Sequence, residues 1–175
     1  MPILPKYHTS LLPDSILRNE NENDFLAKTP YRYALQKAYI SFAHERNIHP
    51  GDFVVFYRNG VPGNAGHTAV LTSVAVVDEA ISNFKTKEEY MGHVQNRSVF
   101  TNEELEEFWH KHGSNQIVLK FIFVTSLNKR PVLKFLWDEN IIEFPQGPRP
   151  FTRITDRQFE RIMDEAQTDL SRYWR

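Results

Sequence analysis

The sequence predicts an α+β domain, a small mixed β-barrel or strongly curved sheet flanked by helices. Three observations lead there. Apolar runs at 53–57, 68–77 and 116–125 read as strands, and helical patterns at 86–93, at 101–112 and from 155 onward lie between and after them. Strands and helices intermix without the repeating strand–helix–strand unit that builds a doubly wound parallel sheet. Thirteen Phe, seven Tyr and three Trp favour strands and stacking surfaces over a helical bundle.

Residues 1–30 contain Pro2, Pro5, Pro13 and Pro30 and a polar run at 18–24, so they read as an extended lead-in or linker. The domain proper is expected at 31–175. Tyr31, Ala34, Leu35 and Ala38 recur at helical spacing and predict a short helix feeding Tyr39 and Ile40 into a strand. After the turn His49-Pro50-Gly51-Asp52, residues 53–57 are apolar on both faces, as in a central strand. Asn59-Gly60 and Pro62-Gly63-Asn64 break it. The β-branched run 68–77, ending at Asp78, is expected to pair back across that glycine loop.

The second helix opens with Thr101 and Glu104, a capping box, and is closed by Gly113. In the strand that follows, Ile117, Leu119, Phe121 and Phe123 share a face. Lys129-Arg130-Pro131 turns the chain into 132–137, a short strand or a turn of helix. The loop 144–150 holds three prolines that keep it stiff, while Gly147 permits a close approach of backbone to a neighbour or ligand. Thr155 and Gln158 form another capping box, before a stripe of Phe159, Ile162, Met163 and Ala166. Phe53, Val55, Val70, Val74, Leu119, Phe121 and Phe123 are the expected core.

With no cysteine, disulfide frameworks, cysteine zinc sites and thiol nucleophiles are closed. His110 and His112 stand at the wrong spacing for one helix face, and no metal site is expected. No phosphate-loop, dinucleotide or nucleophile-elbow motif is present, so no cofactor is expected either. Neither a secretory leader nor a membrane-spanning run is legible, which points to a cytoplasmic location. The formal charge of −1 argues against a protein that tracks phosphates over its whole surface. Between Lys120 and Arg153, however, six basic residues face three acidic ones, a local balance of +3 that predicts a basic rim. The acidic pairs Asp78-Glu79 and Glu88-Glu89 read as solvated charge.

The candidate ligand-binding residues are Lys37, Tyr39, Ser41, Tyr57, Arg58, Arg97 and Gln146. Tyrosine rings stack on bases, Ser and Gln read a base edge, and Arg holds phosphate or stacks. Each has a plainer reading. Tyr39 and Tyr57 suit a core with a wet hydroxyl, Arg58 a snorkelling cap, Arg97 a helix cap, and Lys37 an exposed helix end. Lys37 is also the lysine to consider for amine chemistry, which needs an apolar pocket.

The series Tyr7-His8-Thr9, Leu12-Pro13-Asp14-Ser15-Ile16-Leu17, Lys37-Ala38-Tyr39-Ile40-Ser41, Pro50-Gly51-Asp52, Phe56-Tyr57-Arg58, Asn96-Arg97-Ser98-Val99-Phe100 and 141–149 resembles the PUA-like modules of EVE and ASCH type. Such modules are found C-terminal to bacterial GNAT-type acetyltransferases. The resemblance implies a small mixed β-barrel with helices across its openings and a pocket that in related folds holds RNA or a modified DNA base. Arg58, Arg97 and Gln146 stand where recurrent polar positions of that family fall. The glycine-lysine-glutamate signature of the ASCH branch is missing, and Gly147 stands where serine is commoner.

Three functions are therefore open: a module that binds an unstacked RNA or DNA base, modified or not; an interaction or regulatory domain partnered with an acetyltransferase; and a small nucleoside amidohydrolase or nuclease.

Overall fold

The computed structural model describes residues 1–17, 34–45 and 47–173. Among them, five strands form one mixed sheet in the order β1-β3-β4-β5-β2. These are β1 (Pro2–Ile3), β2 (Gln36–Ser41), β3 (Phe53–Arg58), β4 (Val70–Ser82) and β5 (Ile117–Ser126). β3, β4, β5 and β2 pair antiparallel in turn, and β1 adds to the outer edge of β3 in parallel, with Pro2 opposite Tyr57 and Ile3 opposite Arg58. The sheet curls because bulges break its registers: Thr72 of β4 is the extra residue opposite Phe56 and Tyr57, Val124 of β5 the one opposite Val74 and Ala75, and Asp78 of β4 the one between Val77 and Glu79.

Helices cover the curl: α1 (Pro5–Leu11), α2 (Ala65–Thr68), α3 (Lys87–Val94), α4 (Asn102–His112), α5 (Leu133–Asp138) and α6 (Asp156–Glu165). Both expected capping boxes form. Thr101 accepts from the Glu104 amide and Thr155 from the Gln158 amide, each answered by the partner side chain on the cap's own N–H.

The core divides into three parts. Tyr57, Leu71 and Val74 pack under α5 and α6, with Leu136, Phe159 and Ile162 from those helices. Val54, Phe56, Ala75, Leu119 and Phe121 fill the concave side with Leu11, Leu12 and Phe151. Ala38, Ile40 and Val118 meet α3 and α4 on the opposite side. Of the expected core, Val74, Leu119 and Phe121 are wholly buried, whereas Phe53, Val55, Val70 and Phe123 are half-buried.

Several expectations are corrected. Residues 1–17 are part of the fold: β1 pairs with β3, α1 packs Leu11 into the core, and a 3-10 turn at Pro13–Ser15 follows. Arg130 pins this segment by donating to the carbonyls of Ser15 at 3.0 Å and Ile16 at 2.6 Å. The rest of the expected lead-in, and its boundary near residue 30, lie outside the described residues. Where a short helix was expected to feed Tyr39 and Ile40 into a strand, the strand already begins at Gln36 and runs to Ser41; it is buried on both faces, so its apolar residues do not alternate cleanly. The start of that expected helix also falls outside the described residues. β4 runs four residues past Asp78, because a bulge takes up Asp78 and the Glu79 carboxylate meets Lys120 at 3.2 Å. Val132 bridges Val70 before the chain turns into α5.

No helix among the described residues is long and apolar enough to cross a membrane.

Candidate functional site

Because β1 pairs with β3 only at Tyr57 and Arg58, the earlier part of β3 remains the sheet edge. Along this stretch the chain from Pro148 to Asp156 folds back and leaves a cleft of about 430 Å³. Its floor is Phe53, Val55 and Tyr57 with Phe159 and Ile162 of α6, and its far wall is Ile48 and Phe151. Asp52, Thr152, Arg153, Thr155 and Asp156 contribute the polar lining.

Local chemistry explains the position of each wall. The turn before β3 is closed by Asp52, whose carboxylate accepts from the His49 amide at 2.8 Å. Thr152 holds the opposite loop: its hydroxyl accepts from the Arg149 amide at 2.8 Å and donates to the Arg149 carbonyl at 2.9 Å. The Thr155 capping box then fixes the start of α6 at the cleft. Phe151, between these two anchors, has φ 58, a left-handed conformation costly for a bulky residue, and its ring is 7% exposed. The strain places an aromatic face on the cleft wall.

Phe53 and Phe159 sit with ring centroids 6.0 Å apart, and burial holds the Tyr57 phenol above its ordinary pKa, so it is a neutral hydroxyl at the cleft. Among the described residues no three His, Asp or Glu side chains gather as a metal site would require. The cleft can hold a flat, partly polar ring between aromatic and aliphatic walls, with carboxylates and hydroxyls for its edge.

The structure does not gather the seven sequence candidates into one site. Tyr57 alone among them lines the cleft. It is 5% exposed, a core residue rather than a ring at an exposed strand end. Tyr39 lies one layer behind: its ring meets Phe151 edge-on at 6.5 Å, its hydroxyl donates to the Pro2 carbonyl at 2.9 Å, and burial pushes its pKa up to about 12. Gln146 stands next to the cleft, where its side-chain oxygen accepts from Arg149 at 3.3 Å.

The others are elsewhere. Lys37 is buried on β2, and not an exposed helix end. Ser41 is also buried and accepts from the Ala43 amide. Arg58 ends β3 outside the cleft lining. Arg97 donates to the Gly92 carbonyl at 3.4 Å, in keeping with its helix-capping reading.

The +3 stretch is also largely self-neutralised. Lys120 pairs with Glu79, Lys129 with Glu165 and Lys134 with Asp138, and Arg130, still charged, is turned onto the carbonyls of Ser15 and Ile16 away from the cleft lining, so of the expected basic rim Arg149 and Arg153 remain on the stretch of chain that walls the cleft. What sequence reasoning missed as site residues was chiefly Phe151 and Phe159 with Thr152, Arg153, Thr155 and Asp156. The proline-rich loop and the Thr155 cap marked this region, but nothing in the sequence announces a left-handed phenylalanine.

No family model matches the sequence, and no curated protein does. Solved structures do match in fold. The crystal structure of ASCH from Zymomonas mobilis is similar with a TM-score of 0.57 at 7% identity, over 94% of this chain and 92% of that one. A tyrosine-to-phenylalanine mutant of the same protein gives 0.58 at 7% identity, with 94% of both chains covered. A serine-to-alanine mutant gives 0.56 at 6% identity over 94% and 92%. The sheet and its helices thus share the fold of that ASCH structure.

Proposed function

We propose that this chain is a nucleic-acid-binding module that admits an unstacked RNA or DNA base, modified or unmodified, into the cleft along β3. The observation that carries this reading is the lining itself: Phe53, Tyr57, Phe151 and Phe159 around about 430 Å³, a volume in the range of small-molecule sites. Aromatic walls hold any base through its π-face, at about 1–3 kcal/mol for each stacked ring. A base inside a duplex cannot enter, so the partner is single-stranded or flips the base out.

The polar lining divides the labour. Asp52 and Asp156 repel phosphate and accept from exocyclic amino groups, whereas Arg153 supplies the cation for a phosphate outside. The ASCH-type fold is in keeping with this reading. Lys37 lies outside the cleft lining, which gives a lysine-centred hydrolase no support from geometry.

The test is titration of the protein with short fluorescent RNA and DNA single strands, with and without base modification, over a salt series. Binding should be seen at low salt and weaken shallowly, the slope being about −0.7 per neutralised phosphate with few phosphates engaged. Failure to bind any strand at low salt would reject the reading.

A second reading, an interaction domain for an acetyltransferase or another protein, is favoured by a different place. A groove of about 710 Å³ runs along α6 over Phe159, Met163 and Leu170, edged by Asp164 and Asp169. Binding of a partner protein that is lost on changing the exposed Asp164 and Asp169, with no binding of nucleic acid, would select it.

A further inference from the structure

The loop that walls the cleft also displays an aromatic ring to solvent. Phe144 is 70% exposed, yet it is held in place: it meets Trp137 edge-on with ring centroids 5.0 Å apart. Trp137 is clamped in turn, since its indole N–H donates to the Gln146 carbonyl at 2.7 Å and its ring lies against Gly66, where a β-carbon would come within 2.9 Å. The Gln146 amide closes the loop onto the Glu143 carbonyl at 2.8 Å, and Arg149 reaches back to the Gln146 side chain. A lone exposed phenylalanine is common and needs no explanation. A fixed one, beside an exposed guanidinium and an exposed amide on the loop that walls an aromatic cleft, is a recognition surface in residue type and placement.

We propose that Phe144, Gln146 and Arg149 form a second subsite of the same binding face, which takes the nucleobase next to the one held in the cleft. This rests on the nucleic-acid reading of the cleft. Phe144 stacks the flanking base, for which a ring already immobilised by Trp137 loses little conformational freedom. Arg149 holds the phosphate that joins the two nucleotides, with guanidinium N–H groups beyond the one given to Gln146.

The distances allow it. Gly147, which touches the Tyr57 hydroxyl side of the cleft, is three residues from Phe144, so their α-carbons are at most about 11 Å apart. Glu143 is the acidic neighbour, set against Arg149 and Arg153 on the same stretch of chain.

The test pairs Phe144→Ala and Phe144→Tyr with RNA and DNA single strands, each made intact and with abasic sites flanking a single remaining base. Removing the flanking bases should weaken wild-type binding about tenfold, Phe144→Ala should weaken binding of the intact strand by a similar factor, and the two losses should not add. Phe144→Tyr should restore affinity, and mononucleotide binding should be the same in all three proteins. Equal wild-type affinity for intact and abasic strands, or losses that multiply, overturns the second subsite while leaving the cleft reading in place. Failure of wild type to bind any strand overturns both.

Discussion

The hydroxyl of Tyr57 faces Gly147 so closely that a β-carbon there would lie 3.5 Å from the phenolic oxygen. That is ordinary van der Waals contact, and Gly147 is not among the glycines held at positive φ. Gly147→Ser should therefore be accommodated within about 0.5 kcal/mol of stability. Its hydroxyl would be within reach of Tyr57. A double-mutant cycle with Tyr57→Phe, read from urea unfolding, should show a coupling of about 0.5–1.5 kcal/mol; zero coupling would mean that the loop has moved aside.

Tyr57 is a poor site for truncation. Tyr57→Ala should cost about 3–5 kcal/mol because it removes a ring buried against Leu71 and α6, so any loss of binding in that variant reports the fold as well as the ligand. Tyr57→Phe should unfold close to wild type and isolate the hydroxyl. Thermal melts of the two variants check this.

Gly60 has no room for a side chain. A β-carbon there would sit 2.4 Å from Thr68 Oγ1 and 2.5 Å from the Ala69 amide nitrogen, and the Thr68 hydroxyl is itself committed to the Val61 amide and the Asn64 carbonyl. Gly60→Ala should destabilise by about 1–3 kcal/mol, since backbone must shift. An unchanged urea midpoint would contradict this packing.

The Lys120–Glu79 pair is lopsided: the lysine side chain is 9% exposed and the glutamate 44%. Removing the carboxylate strands a buried ammonium, whereas removing the ammonium leaves a carboxylate that water can reach. Glu79→Leu should thus cost more stability than Lys120→Met, by about 1–2 kcal/mol in unfolding midpoints compared at neutral pH.

Alkali should unfold the protein through its buried phenols. Tyr39 is pushed up to about 12 and Tyr57 and Tyr90 are also raised, all by burial. A phenol that keeps its proton in the folded state while the unfolded chain releases it near pH 10 contributes stability fully present below pH 10. For Tyr39 that contribution is lost between pH 10 and about 12, at up to about 1.4 kcal/mol per pH unit. Tyr39→Phe should flatten the decline, measured as melting temperature against pH, although it also forfeits the bond to Pro2.

How far the molecule could be read from its sequence depended on whether the deciding interaction was local. Thr101 and Thr155 announced their helices because a cap is made by side chains three residues apart. Phe53–Arg58 and Ile117–Ser126 announced themselves through apolar content alone. Gln36–Ser41 announced only its second half, at Tyr39 and Ile40, since a strand buried on both sides has no alternating pattern to distinguish its start from a helix. Pro2–Ile3 became a strand only through a partner more than fifty residues away. The site was harder still. Tyr57 was legible, but Phe151 enters the cleft through a backbone conformation that its residue type disfavours, and Tyr39 approaches it only through Phe151.

Asp78 acts as a change of parity in β4. Ahead of it the odd-numbered Ala75 and Val77 face the concave core; behind it the even-numbered Ala80 takes that side, opposite Leu119, and Glu79 falls opposite Lys120. The side chain of Asp78 accepts from Gln36 on β2, the strand on the far side of β5. Deleting this one residue would leave composition almost untouched and keep Glu79 opposite Lys120 and Ala80 opposite Leu119, but it would remove the bulge and with it the local bend of the strand. The curl of the sheet is therefore written partly in the count of residues along β4, and loss of Asp78 is expected to straighten the strand where a substitution there would leave the bend in place.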